Sequence, residues 1–145
     1  MIKSRKEEIL KLINFEVGKA KLMMDVTGFD AKNAGDKYHE EEAANITKKY
    51  FENLSKLLDE VKSAPDNSPE IVKPICYVEL NYESGERVKL YLVRNYTLVT
   101  GALLITSESP IGRAIVGKKQ SDNFSYEIVK GESKITYSGK IEIIE

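Results

Sequence analysis

Cysteine, histidine and tryptophan are almost absent from this chain: 145 residues hold one Cys, one His and no Trp. Cys76 alone can form neither an internal disulfide nor a four-thiolate zinc site. Any Ser-His-Asp triad or Cys-His pair would have to be built on His39. Charge of one sign is also missing. The 22 Lys and Arg stand against 23 Asp and Glu, a net charge of -1, so binding to nucleic acid through a basic surface is not expected. No apolar run approaches the roughly 20 residues of a membrane span. The start, MIKSRKEEILKLI, carries Glu7 and Glu8 where a signal peptide needs an apolar core. With 41% hydrophobic and 31% charged residues the composition is that of a folded globular chain, either one domain or two small ones. A cytoplasmic protein bound neither to membrane nor to specific nucleic-acid sequences is expected.

Proline is scarce and unevenly placed. Three of the four prolines lie in Ser63–Pro74, SAPDNSPEIVKP, which reads as a boundary between residues 1–63 and 64–145. Before it the apolar period is helical. Ser4 and Glu7 have the spacing of a capping box, and Leu10, Ile13, Val17, Ala20 and Met24 recur as a coiled-coil seam. Thr27, Gly28 and Asp30 supply turn chemistry, and Gly35 and Asp36 precede a second seam of Ala43, Thr47, Tyr50, Leu54, Leu57 and Val61. Two such seams joined by a loop of about ten residues predict an antiparallel helical hairpin. With about 25 residues per arm it would extend roughly 35–40 Å, more than is needed to cover a sheet. Its free end, residues 25–42, holds six acids against Lys32 and Lys37. Acids such as Asp36 and Glu40 also suit the start of a helix, and Glu41 and Glu42 suit a solvated face.

Beyond residue 75 the period becomes two. Cys76, Val78, Leu80 and Tyr82 alternate with polar residues, as do Val88, Leu90 and Leu92 after a turn at 83–86. Leu103–Thr106 reads as a short strand. Phe124, Tyr126 and Ile128, then Ile135 and Tyr137, give two more, with Gly139 marking a bulge before Ile141 and Ile143. An antiparallel sheet of five strands follows. Between the third and fourth strands, Ser109 suits an N-cap, Pro110 the first helical position and Gly117 the C-cap of one crossing helix. Cys76 is expected to be a small buried hydrophobe, and Tyr50 and Phe51 to be packing residues.

The run Ser109, Pro110, Ile111, Gly112, Arg113, Ala114, Ile115, Val116, Gly117, Lys118 resembles the Ser-Pro-(Ile/Leu)-(Gly/Ala)-x-Ala-(Leu/Ile)-(Ile/Leu)-Gly-(Lys/Arg) of the Gre family of bacterial transcript-cleavage elongation factors. The likeness continues through Asp122 and the strand after it, and upstream to the strand pair from Val78 to Val93. It implies an α+β chain: an N-terminal coiled-coil hairpin followed by an FKBP-like antiparallel sheet with one crossing helix. It further implies a partner, RNA polymerase. The C-terminal domain would dock at the secondary channel, with Ser109, Pro110, Ile111, Arg113, Lys118 and Lys119 as docking candidates. The hairpin tip would lend carboxylates to a Mg²⁺ in the polymerase's own active site, promoting cleavage of backtracked RNA.

On this reading the chain is not itself an enzyme and holds no cofactor or metal when free; a monomer is expected. The tip differs from the family's Asp-Leu-x-Glu-Asn-Ala-x-Tyr. Asp30 corresponds to the aspartate and Asn33-Ala34 to Asn-Ala, while the glutamate is unmatched and Asp36 is its nearest substitute by reach. Asp30 and Asp36 are therefore the candidate catalytic and Mg²⁺-binding residues. Three further readings stand beside this one: a Gre-like regulator or competitor without cleavage, an FKBP-like peptidyl-prolyl isomerase, and a hairpin that only packs into a bundle. An isomerase would need an apolar, aromatic-lined pocket, and Phe124 is the sole Phe of the second half.

Overall fold

A computed structural model describes the backbone of residues 3–33 and 37–145 and the side chains of residues 4–23 and 46–145. Two long helices, α1 (Lys3–Asn33) and α2 (Lys37–Lys62), precede β1 (Cys76–Tyr82), β2 (Arg87–Val93), β3 (Leu104–Thr106), the short helix α3 (Pro110–Ile115), β4 (Asn123–Lys130) and β5 (Ser133–Ile144). The expected α+β organisation, a helical hairpin followed by a sheet with one crossing helix, is what forms.

The helices differ from expectation in detail. Helix α1 begins at Lys3, so Ser4 is already helical and is not its cap. The helix also continues through Thr27, Gly28 and Asp30 to Asn33, because single turn-forming residues cost a long helix only fractions of a kcal/mol to about 1 kcal/mol each. The buried stripe of α1 is Ile9, Ile13, Glu16 and Ala20: Ile13 and Ala20 of the expected seam are buried as expected, whereas Leu10 and Val17 are only partly buried and their places are taken by Ile9 and Glu16. The cause is that α1 covers α2, the sheet and a loop together, a wider face than a two-helix seam. In α2, Leu54, Leu57 and Val61 are fully buried as expected.

The sheet order is β3-β2-β1-β5-β4. Strands β1, β2, β5 and β4 pair antiparallel, whereas β3 runs parallel to β2, with Tyr91 opposite Leu104. The long β2–β3 connection makes this possible, since a parallel pair needs more than a tight turn. The irregularity in β5 lies later than Gly139: Glu79 faces Ile143 and Leu80 faces Ile141, so Glu142 is the extra residue. Gly139 has another purpose. A Cβ there would lie 2.3 Å from the Asn81 carbonyl oxygen, so only glycine permits that strand approach.

Two buried clusters lie on opposite faces of the sheet. Cys76, Val78, Leu80, Leu90, Leu92, Ile115, Phe124 and Ile141 form one beneath α3. Ile9, Ile13, Leu54, Leu57 and Val61 of the helices join Tyr77, Tyr91, Val93, Val99 and Leu104 in the other. The alternation of β1 and β2 therefore hides a second buried face, carried by Tyr77, Tyr91 and Val93. Between the helices and the sheet, the Pro-containing segment is packed: Ala64 belongs to the cluster on the helix side and Val72 to the cluster under α3. Val72 donates to the Lys118 carbonyl and accepts from Gly117, each at 2.8 Å.

Candidate functional site

The conspicuous run around α3 folds as a capped, tightly seated turn. Ser109 Oγ accepts from Gly112 N–H at 3.1 Å and donates to the Thr106 carbonyl at 2.7 Å. Pro110 opens the helix, where its missing N–H costs nothing. A Cβ on Gly112 would lie 1.9 Å from Thr106 O, so this glycine is demanded by backbone contact. Val116 is the C-cap, and Gly117, one residue beyond it, takes φ +83 as a helix-ending glycine does. Ile111 is half-buried against the cluster beneath α3.

Of the six docking candidates, Ser109, Pro110 and Ile111 thus shape the turn, while Arg113 and Lys119 are exposed and Lys118 half-exposed. Arg113 Nε donates to the Glu108 carbonyl at 2.9 Å, and Asp122 accepts from Lys119 N–H at 2.8 Å. A shallow groove of about 360 Å³ runs between α3 and β4, lined by Pro110, Arg113, Ala114, Ser125, Tyr126 and Glu127. A second, of about 410 Å³, continues past Ser125 to Lys118 and Asn123. Their linings are polar and charged, with Tyr126 the one aromatic of the first and Phe124 that of the second. Neither has the character of a proline-ring pocket.

Cys76 is fully buried and burial pushes its thiol up to about 11, the behaviour of a small core hydrophobe rather than a nucleophile. Tyr91, also buried, is pushed up to about 12 by burial first and then by the Glu8 charge. Asp36 lies outside the described residues, as do the side chains of Asp30 and His39, so the tip pair and the histidine gain no geometry. Among the described residues no group of three metal-ligating side chains comes together, and no helix of the described residues is long and apolar enough to cross a membrane.

Sequence reasoning missed Glu16 and Glu60. Glu16, 5% exposed, accepts from Thr100 N–H at 3.2 Å and pairs with Lys19 at 3.4 Å. Burial opposes its ionisation, but the bonds from Thr100 and the Lys19 ammonium outweigh it and hold the carboxyl below its usual range. The signal available in the sequence was the interruption of the Ile9, Ile13, Ala20 stripe by one acid at the seam position.

Residues 67–138, which include the α3 turn and all of the groove linings but Gly139, match the family described as Transcription elongation factor, GreA/GreB, C-term. The chain belongs to the Gre family. Among solved structures it is similar to GreA factor homolog 1 (Gfh1) of Thermus thermophilus, at 17% identity over 98% of this chain and 93% of that one, with a TM-score of 0.42. It is likewise similar to Gfh1 of Thermus aquaticus, at 16% identity, 97% and 92% coverage and a TM-score of 0.43. A prokaryotic transcription elongation factor GreA/GreB from Nitrosomonas europaea is 24% identical over 63% of this chain and 78% of that one, with a TM-score of 0.37. No curated protein sequence gives a match. Within the Gre family match fall all six docking candidates, whereas both helices of the hairpin lie outside it.

Proposed function

We propose that this Gre-family chain is a transcription elongation factor that docks on RNA polymerase through its C-terminal domain and directs its helical hairpin into the secondary channel. The observation that carries the reading is the match of residues 67–138 to the GreA/GreB C-terminal domain, joined through one buried cluster to the base of a long hairpin. Arg113 and Lys119 supply exposed cations around the α3 turn and Lys118 a half-exposed one, and Ser109, Pro110 and Ile111 hold that turn in shape. At the tip, Asp30 and Asp36 are hard oxygen donors of the kind Mg²⁺ accepts one or two at a time, keeping water and phosphate oxygens for its other positions. When bound beside the polymerase's own metal, such an ion activates water and neutralises charge. The factor lends ligands and the polymerase carries out the hydrolysis.

One observation favours a second form of the same reading. The glutamate of the family's tip motif has no counterpart in Asp30–Tyr38, which supports a regulator that occupies the channel without stimulating cleavage. The two forms separate in one assay with purified cognate polymerase stalled in backtracked complexes. If the tip lends metal ligands, the chain stimulates transcript cleavage, and Asp30→Asn with Asp36→Asn abolishes the stimulation while binding is kept. Binding without cleavage selects the non-cleaving regulator. Cleavage unchanged in the double variant would remove the assigned role of both aspartates.

A further inference from the structure

Two carboxylates, one on each long helix, converge on the loop that connects β2 to β3. Leaving the sheet, residues 94–103 pass Glu60, whose Oε1 accepts from Arg94 N–H at 2.6 Å. Its Oε2 accepts from the Asn95 backbone at 3.1 Å and from the Asn95 side chain at 2.8 Å. The loop then runs outward along α2 to Tyr50, whose hydroxyl donates to the Leu98 carbonyl at 2.5 Å. There it crosses to α1, where Thr100 N–H donates to Glu16 at 3.2 Å. Gly101, at φ +89, lets the backbone lie against Leu12: a Cβ there would be 3.3 Å from the Leu12 side chain. Val99, 2% exposed, is the apolar plug between these polar attachments.

Neither carboxylate is explained by its own helix alone, although Lys19 on α1 pairs with Glu16 at 3.4 Å. Glu60 stands in the last turn of α2, where the helix dipole disfavours an anion. Glu16 occupies a buried seam position that an apolar residue would fill more favourably. Residues that break a local rule are retained for something outside the element, and here the shared outside partner is one loop. Other ties between the described residues of the helices and the rest of the chain lie near the sheet: Arg5 to Glu145 at 3.0 Å, and Lys6 to the Ala64 carbonyl at 2.7 Å and to Asp66 at 3.2 Å. The contact at Tyr50 and Glu16 lies ten residues out from Glu60, about 15 Å along the helix. A support at that distance resists tilting far better than one at the base.

We infer that the β2–β3 loop is a brace that sets the direction of the helical arm relative to the C-terminal sheet, with Glu16 and Glu60 as its positioning residues. From Ile9 to Asn33 the arm extends about 36 Å, so a tilt of 10° at the base displaces its far end by about 6 Å. That is enough to separate a tip carboxylate from a metal, whose ligands lie within about 2–2.6 Å. This last consequence rests on the polymerase reading; the brace itself does not.

The test uses the free, full-length chain. Nitroxide labels at Lys48→Cys on α2 and Lys134→Cys on β5 report the arm's direction by pulsed electron resonance, and Cys76, being buried, stays unlabelled. The expected result is one narrow distance distribution, which in the Glu16→Ala, Glu60→Ala double variant broadens and shifts by about 3 Å while helix content is unchanged. A distribution that is already broad in the parent chain, or one the double variant leaves unaltered, overturns the proposal. Should the variant not fold, amide exchange in the parent chain decides. Exchange at Arg94, Asn95 and Thr100 at least about tenfold slower than in an unstructured peptide supports the brace, and free-peptide rates overturn it. Because no polymerase is present, failure here leaves the polymerase reading standing, and failure of that reading leaves the brace standing.

Discussion

The two faces of the sheet are closed by different means. Beneath α3 a cluster of apolar side chains is completed by close backbone fit: Gly112 meets Thr106, Gly139 meets Asn81, and the Tyr82–Tyr126 hydroxyl pair at 2.7 Å is satisfied. On the arm side it is made by apolar side chains studded with charge: Ile9, Leu57 and Val61 pack on Tyr77 and Tyr91 while Arg5 stacks 4.3 Å above the Tyr77 ring, and farther out Glu16 sits buried beside Tyr50 and Thr100. A face closed by backbone contact tolerates no extra atom but needs no particular charge. A face closed by side chains and carboxylates can be loosened a group at a time, and it is the face that carries the arm.

The sharpest break in this comparison is expected at the glycines. Gly112→Ala forces a Cβ onto a backbone carbonyl and should cost more than about 3 kcal/mol by denaturant titration. Gly18→Ala, on the exposed surface of α1 with nothing within 4 Å, should instead stabilise by about 0.5–1 kcal/mol. Next in size is Leu57→Ala, fully buried at the base of the arm, with an expected loss of about 2–5 kcal/mol. If arm and sheet share one core, helical and tertiary signals shift together in a single transition. Two separate transitions would show that the clusters unfold independently.

Much of this was legible in the sequence. The period change near residue 63, the Leu54, Leu57 and Val61 part of the α2 seam and the Ser109–Gly117 turn each follow from local rules and formed as expected, while Thr47 and Tyr50 of that seam are only partly buried and the side chain of Ala43 lies outside the described residues. What was hidden is long-range. Strand β3 pairs parallel because the β2–β3 loop is long enough to wrap the arm before returning, and nothing in the Leu104–Thr106 run announces that direction. Tyr77, Tyr91 and Val93 read as the outer face of alternating strands until the arm is seen to cover them. Glu16 and Glu60 read as ordinary surface acids, because the backbone amides they hold are 84 and 34 residues away in the chain. At the tip, Asp30 follows from the resemblance and Asp36 from its reach, and the side chains of both lie outside the described residues.

Smaller effects sharpen the same contrast. Tyr82→Phe removes a satisfied hydroxyl pair and should cost about 1 kcal/mol, whereas Tyr91→Phe removes a hydroxyl without a hydrogen-bond partner among the described residues and should be neutral or slightly stabilising. The least effect is that of pH. Glu16 has its folded pKa below the ordinary carboxylate value, so its contribution is full above about pH 4.3 and fades as pH falls through the folded value. Glu16→Gln should flatten that part of the stability profile below pH 4.3; an unchanged profile would mean that Glu16 does not carry it.

The proposed function puts the arm inside the secondary channel of RNA polymerase, with its tip beside the catalytic metal. An iron chelate tethered at Lys37→Cys, with buried Cys76 unmodified, generates short-range radicals in a stalled elongation complex. The expected result is cutting of the nascent RNA near its 3′ end and of polymerase segments around the catalytic metal. Binding accompanied by cuts only on the outer surface of the polymerase, or no binding at all, would contradict it.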